Sequence, residues 1–309
     1  MAAALPVGAA AQQPGPKPVR LVIFSSGGPL DFATRQLANK LGPILGTSVV
    51  VEPKPGANGV VAAQTVAAAE PDGSTLLVTT SGLLTITPNF GKPPYDPDRD
   101  LTPVSRMVVN ASALVVDGSV PASNIKEFVD WAKSRREPVS FGSPGIGNIG
   151  HLWLENFNAV AGTDIVHVPY KGAAGIVQDL LGGRIAGTII DTSAIQVHLK
   201  SGRMKALGTV GGQRHPMMPD VPTMREQGYG IVDAVSWYGI FAPVKTPPAA
   251  VARMSDAIHR ALQDPEVRER LRENGSEAAP LPPDQFARLI QSDRAIWARL
   301  IREKNIVAE

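Results

Sequence analysis

Short apolar runs alternate with stretches of helical periodicity along most of this chain. The first apolar run, residues 19–23, leads through a glycine-containing segment into a helical pattern over residues 32–41. Further runs of strand length follow at residues 49–52, 75–79, 113–116, 139–142, 165–168, 187–190 and 237–243. Strands that alternate with helices are typical of α/β proteins with a largely parallel sheet, so the pattern predicts that fold class.

The junction from strand to helix has a similar composition at several places. Glycine, proline or small polar residues fill it at residues 24–31, 143–148, 169–172 and 191–193. A helix start leaves backbone N–H groups without partners, and these groups attract anions. The carboxyl ends of parallel strands lie along one edge of a sheet, where such junctions can converge. The sequence therefore predicts a binding cleft for a small anion.

Length and segment order predict two lobes. The chain has 309 residues, of which 43% are hydrophobic and 19% charged, which is enough apolar material for two cores. We expect the chain to cross between lobes at residues 114–117 and 236–241. Residues 18–116 and 238–309 then form the first lobe and residues 117–237 the second, with a hinge and an interlobe ligand cleft. Predicted carboxyl-terminal helices at residues 247–263 and 283–304 return to the first lobe.

Composition argues against several classes of function. A net charge of +2 with scattered basic residues gives no reason to expect a nucleic-acid partner, and the absence of cysteine excludes disulfides and thiolate metal sites. The five histidines form no local metal-ligand motif, and no Gly-x-Ser-x-Gly elbow is present. Residues 145–150 match a dinucleotide fingerprint, but Asp164 precedes the next predicted strand instead of ending it. We therefore expect no catalysis, metal or cofactor.

Residues 1–17 have a different composition from the rest of the chain. They are rich in alanine, with small residues ahead of a possible cleavage point near Ala11. This segment is either the end of a truncated signal peptide or a disordered tail.

A series of short motifs resembles one protein family in order and spacing. They include Gly27-Gly28 with Asp31 and Arg35, and the segments at residues 55–59, 71–77, 95–97, 101–104, 143–152, 168–172, 179–183, 219–223 and 237–243. Together they resemble the solute-binding receptors of the tripartite tricarboxylate transporter family, known as TctC or Bug receptors. The resemblance extends over residues 18–307.

The resemblance implies a type II periplasmic-binding-protein fold and a periplasmic location. It implies a monomer that captures one small carboxylate, such as a di- or tricarboxylate or an aromatic acid. The ligand would be delivered to the membrane permease subunits of a tripartite tricarboxylate transporter. A receptor that senses its ligand and signals through a sensor kinase is the alternative.

Candidate ligand-binding residues come from the predicted junctions of both lobes. The first lobe contributes Ser26, Gly27, Gly28, Pro29, Leu30, Asp31 and Ser81, and the second Ser143, Gly145, Gly147, Asn148, His151, Tyr170 and Asp191.

Three of these candidates also have structural interpretations. The carboxylate of Asp31 either reaches back to the Gly28 N–H in a capping box or contacts a ligand amine or hydroxyl. Asp191 either faces the cleft or caps the helix that follows it. His151 either donates to a ligand oxygen or packs against the hinge.

Departures from the family pattern bear on the ligand. Pro29 removes one N–H donor from the first junction, and Leu30 brings an apolar side chain to it. Trp153 stands where relatives usually have a small residue. These changes favour a less polar ligand, such as an aromatic or longer-chain carboxylate.

Overall fold

The computed structural model describes residues 17–91, 94–232 and 234–307, which form two β-sheets flanked by helices. The expected signal-peptide or tail segment, residues 1–17, lies outside the described residues except for Lys17. A mixed α/β fold is therefore confirmed.

Strands and helices alternate along the described chain. The strands are β1 (Val19–Ile23), β2 (Val49–Pro53), β3 (Thr75–Thr80), β4 (Leu101–Asn110), β5 (Ser112–Asp117), β6 (Ser140–Ser143), β7 (Val166–Pro169), β8 (Gly187–Asp191), β9 (Met204–Thr209), β10 (Trp237–Pro243) and β11 (Ser276–Leu281). The helices are α1 (Pro29–Leu45), α2 (Val60–Ala67), α3 (Ser81–Thr85), α4 (Pro97–Asp100), α5 (Ile125–Ser134), α6 (Ile149–Ala161), α7 (Ala173–Leu181), α8 (Gln196–Lys200), α9 (Pro248–Gln263), α10 (Pro265–Glu273) and α11 (Pro283–Lys304). None of the described helices combines the length and the apolar composition that a membrane crossing needs.

The two sheets share one design. The strand order is β11-β4-β10-β3-β1-β2 in the first and β7-β6-β8-β5-β9 in the second. Each contains a parallel trio, β2-β1-β3 or β7-β6-β8, while the remaining pairings are antiparallel. The prediction of largely parallel sheets is therefore right for the trios and wrong for the strands beside them. Of the strands at the crossings, β10 and β5 run against the direction of their trios, whereas β4 and β9, which are antiparallel to β10 and β5, run with it.

The chain first changes sheet at Ala111, between β4 in the first sheet and β5 in the second. This is earlier than the expected crossing at residues 114–117, and it assigns residues 112–116 to the second lobe. An apolar run contains no information about which sheet it will join, so the sequence could not place this boundary. The return crossing lies between β9 and β10, and β10 begins at Trp237 within the expected range of residues 236–241.

Several elements were not predicted. Between the predicted strands at residues 75–79 and 113–116 the structure has α4 and β4, which the apolar pattern did not indicate. β9 and β11 were also missed, and α10 makes a third carboxyl-terminal helix where a pair was expected. Polar and charged residues interrupt the apolar pattern in β4 and β11, which hides their periodicity.

The last helix spans both lobes. Phe286 and Ile290, near the start of α11, pack in a core of the first lobe. Trp297 and Leu300, two turns later, pack in the core that contains α5 and α6 of the second lobe. The expectation that the carboxyl-terminal helices return to the first lobe therefore holds for α9, which packs in another core of that lobe, and for the first half of α11, but not for its second half.

Candidate functional site

A cavity of about 220 Å³ lies between the two sheets. First-lobe residues at its wall are Pro29, Thr80, Ser81 and Gly82, while Ser236 and Tyr238 come from the return crossing. Second-lobe residues are Pro144, Asn148, Ile149, Gly150, Trp153, Ala173, Ile189, Ile190, Asp191, Ser193 and Ala194. Among these lining residues Asp191 is the one with an ionisable carboxylate, and none is a lysine, arginine or histidine. A ligand in this cavity meets a largely apolar wall with polar groups at a few points.

Three helices of nine or more residues begin at the cavity. Pro29 opens α1, Ile149 opens α6 and Ala173 opens α7. The residues that precede α1 and α7 are Gly28 and Gly172, and neither can provide a side-chain cap. The amino termini of these helices carry partial positive charge, worth about 0.3–1 kcal/mol each toward an anion. Their convergence is the geometry that the strand-to-helix junctions predicted.

Asp31 stabilises the first strand-to-helix junction, residues 24–31. Its Oδ2 accepts a hydrogen bond from the Gly27 N–H at 2.9 Å, and its Oδ1 forms an ion pair with Arg35 Nε at 2.8 Å. The structural interpretation of Asp31 is thus close to correct, although the N–H belongs to Gly27 and not to Gly28. Leu30 is buried in the core of the first lobe and is absent from the cavity wall. Its side chain therefore does not make the cavity less polar, contrary to our expectation.

Two histidines contact the second-lobe junction at residues 143–148. The Gly147 N–H donates to His151 Nδ1 at 3.2 Å, and His167 Nε2 lies 2.6 Å from Ser143 Oγ. The two imidazole rings stack with their centroids 3.9 Å apart. Ser143, Gly147 and His151 are thus engaged with each other or with His167, and none of them lines the cavity. They position Asn148, which caps α6 by accepting from the Gly150 N–H at 3.0 Å.

Within this pair, His167 makes the stability of the fold depend on pH. Burial, followed by the neighbouring His151, lowers the pKa of His167 to about 4. Between about pH 6.5 and 4 the unfolded chain then binds more protons than the folded chain, so acidification destabilises the fold by at most about 1.4 kcal/mol per pH unit. We expect His167→Gln to flatten this slope in urea denaturation measured across that range. His198→Gln, in α8 and outside the pair, is the control and should leave the slope unchanged. An unaltered slope in His167→Gln would contradict the assignment of this pH dependence to His167.

Tyr170 acts within its own lobe. Its hydroxyl donates to Asp179 Oδ2 at 2.8 Å, and burial together with this carboxylate raises the pKa of Tyr170 to about 12. The residue is absent from the cavity wall, as are Ser26, Gly27, Gly28 and Gly145 among the other candidates.

Asp191 forms the inner wall of the cavity. It does not cap the helical turn that follows, so the capping interpretation is wrong. Oδ1 accepts from Ser112 Oγ at 2.6 Å, and Oδ2 accepts from Ser236 Oγ at 2.8 Å and Asn110 Nδ2 at 3.3 Å. Burial raises the pKa of Asp191, and these three hydrogen bonds oppose the rise. Because Asn110 and Ser236 flank the strands that cross between lobes, the network joins the cavity to the hinge.

Four predicted residues line the cavity: Pro29, Ser81, Asn148 and Asp191. Some missed residues follow the same rule as these. Thr80 and Ala173 lie at strand-to-helix junctions, so that signal could have found them. Ser236 and Tyr238 could not be found in this way, because only the return crossing brings them to the cavity.

A sequence profile for the tripartite tricarboxylate transporter family receptor, TctC, matches residues 33–306 of this chain. The described residues contain no group of three or more side chains suited to hold a metal ion.

Solved structures of similar proteins have the same fold. The periplasmic binding protein BugD is 31% identical, with a TM-score of 0.82 over 94% of this chain and 99% of its own. A Rhodopseudomonas palustris protein solved with adipate is 29% identical, with a TM-score of 0.85 over 94% of this chain and 99% of its own. MatC from the same organism, with bound malate, is 29% identical, with a TM-score of 0.78 over 93% and 99%. The profile match and these neighbours agree on one assignment: the chain belongs to the TctC family of tripartite tricarboxylate transporter receptors, which are solute-binding proteins.

Proposed function

We propose that this protein captures a small carboxylate in the cavity between its lobes and delivers it to the membrane permease subunits of a tripartite tricarboxylate transporter. The observation that supports this most directly is the convergence of α1, α6 and α7 at one cavity. Oriented N–H groups there can bind a carboxylate without an arginine or lysine. The adipate and malate bound by two similar proteins support the same ligand class.

The proposal places the protein in the periplasm, as the name of the periplasmic binding protein BugD supports, and takes it to be a monomer. Binding proceeds by closure of the lobes about the crossings at Ala111 and ahead of Trp237. A ligand that contacts both lobes binds the closed state better and shifts the population toward it. Contact between the lobes already exists beside the cavity, because Phe90 of the first lobe lies against Gly147 of the second.

Thermal unfolding in the presence of carboxylates tests the function. A ligand at one hundred times its dissociation constant adds about 2.7 kcal/mol to the free energy of unfolding, which raises the melting temperature by a few degrees. We expect at least one acid among adipate, malate, citrate and benzoate to do so, while its methyl ester does not. A protein that no carboxylate stabilises, although it melts cooperatively, would contradict the proposal.

The polarity of the ligand is a separate question for the same screen. Trp153 lines the cavity together with Ile149, Ile189 and Ile190, which still favours a ligand with an apolar portion. Competition between adipate or benzoate and citrate then measures that preference. A clear preference for citrate would argue against it.

A further inference from the structure

The charge of the cavity wall is unusual for an anion site. Its one ionisable carboxylate is Asp191, and among the described lining residues no basic side chain balances it. Among the described residues, the hydrogen-bond partners of Asp191 are two hydroxyls and one amide, all uncharged. A ligand carboxylate bound at the helix amino termini therefore shares the cavity with a second acidic group.

The hydrogen bonds that Asp191 accepts from the described residues leave one of its acceptor positions unfilled. Oδ1 accepts one hydrogen bond and Oδ2 accepts two, whereas a carboxylate has about four acceptor positions. The orientation of Asn110 is set by Ser276, whose hydroxyl donates to Asn110 Oδ1 at 2.8 Å. The amide nitrogen of Asn110 consequently faces Asp191, and every protein group in this network approaches the carboxylate as a donor.

A plain carboxylate ligand offers no hydrogen-bond donor to Asp191, and an ionised Asp191 repels it. A ligand that also carries an ammonium or hydroxyl group donates to the open position on Asp191 and relieves that repulsion. Charge-assisted hydrogen bonds of this kind are stronger than neutral ones. We propose that Asp191 is a specificity-determining residue that selects carboxylates bearing a hydrogen-bond donor, an ammonium or a hydroxyl group.

This proposal rests on the proposed function, because it assumes that a carboxylate occupies the cavity. It goes further by dividing carboxylates into those with a donor directed at Asp191 and those without one. The apolar lining and the donor requirement are compatible, since Asp191 and Ser236 form the polar part of a wall that is otherwise largely apolar.

Titration calorimetry with succinate, malate and aspartate tests the selection. The three acids share one four-carbon skeleton and differ by a hydrogen, a hydroxyl or an ammonium at one carbon. We expect malate, aspartate or both to bind about tenfold or more tightly than succinate, as one hydrogen bond to a charged group predicts. Alanine, lactate and propionate form a second series with the same three substituents for a cavity that prefers monocarboxylates.

Variants assign the selection to Asp191. Asp191→Asn keeps the size of the side chain and removes its charge, so we expect the advantage of the donor-bearing acid over its parent to shrink at least about fivefold. Asp130→Asn, which makes the same change at an exposed carboxylate of α5 outside the cavity, is the matched control and should keep the advantage. Should Asp191→Asn fail to fold, the comparison of donor-bearing and parent acids on the wild-type protein still tests whether the cavity selects for a donor.

The outcomes separate the two proposals. Parent acids that bind as tightly as their donor-bearing analogues would overturn the role of Asp191 and leave carboxylate capture intact. Retention of the preference in a folded Asp191→Asn variant would also overturn it. Failure of every acid, including adipate, to bind the wild-type protein would contradict the proposed function itself.

Discussion

Replacing Trp153 with alanine is expected to lower the free energy of unfolding by about 3–5 kcal/mol. The indole is fully buried in the core of the second lobe, and its Nε1 donates to the Ala234 carbonyl oxygen at 3.3 Å. Its removal leaves a void in that core, next to the ligand cavity, and the carbonyl loses its partner. Urea denaturation followed by circular dichroism measures the loss.

Trp131→Ala is the matched control for this prediction. Trp131 belongs to the same lobe but is only partly buried, with the Arg135 guanidinium 5.6 Å from its ring centroid. We expect Trp131→Ala to lower the free energy of unfolding clearly less than Trp153→Ala does. Equal losses, or a loss below about 1 kcal/mol at Trp153, would mean that the lobe repacks around the void.

Replacing Gly147 with alanine is expected to lower ligand affinity about tenfold or more. Gly147 has φ +69°, a left-handed conformation that disfavours side chains, and a Cβ there would lie 2.8 Å from Phe90 Cε2. The ring or the junction must therefore move, and Gly147 belongs to the junction that positions Asn148 at the cavity. Calorimetry with the best ligand of the carboxylate screen measures the effect.

Gly183→Ala separates backbone strain from this steric effect. Gly183 has a nearly identical φ of +67°, but a Cβ there meets nothing within 4 Å. Both variants should lose about 1–2 kcal/mol of stability from the left-handed conformation alone. Only Gly147→Ala should weaken binding; equal affinity in the two variants would show that the contact between Phe90 and Gly147 does not affect the site.

Local pattern was sufficient for much of the fold. β1 and β10 begin and end where the apolar runs do, and α11 matches its predicted range within a residue. These elements have strong apolar patterns, and a proline precedes β1 and opens α11, so neighbours in sequence determine them. β4 and β11 lack that local signal. β4 pairs with both β10 and β11, so strands that are distant in sequence stabilise this part of the sheet.

The candidate site was predicted only in part, for the same reason. The sequence by itself determined that several strands lead into helices through short junctions, because each junction is local, and four of its candidate residues, Pro29, Ser81, Asn148 and Asp191, line the cavity. Only the tertiary structure decided what surrounds Asp191. Ser236 lies 45 residues away in the chain and Asn110 lies 81 away, yet both donate to its carboxylate. Such contacts depend on how the crossing strands bring the two lobes together, and no local pattern encodes that arrangement.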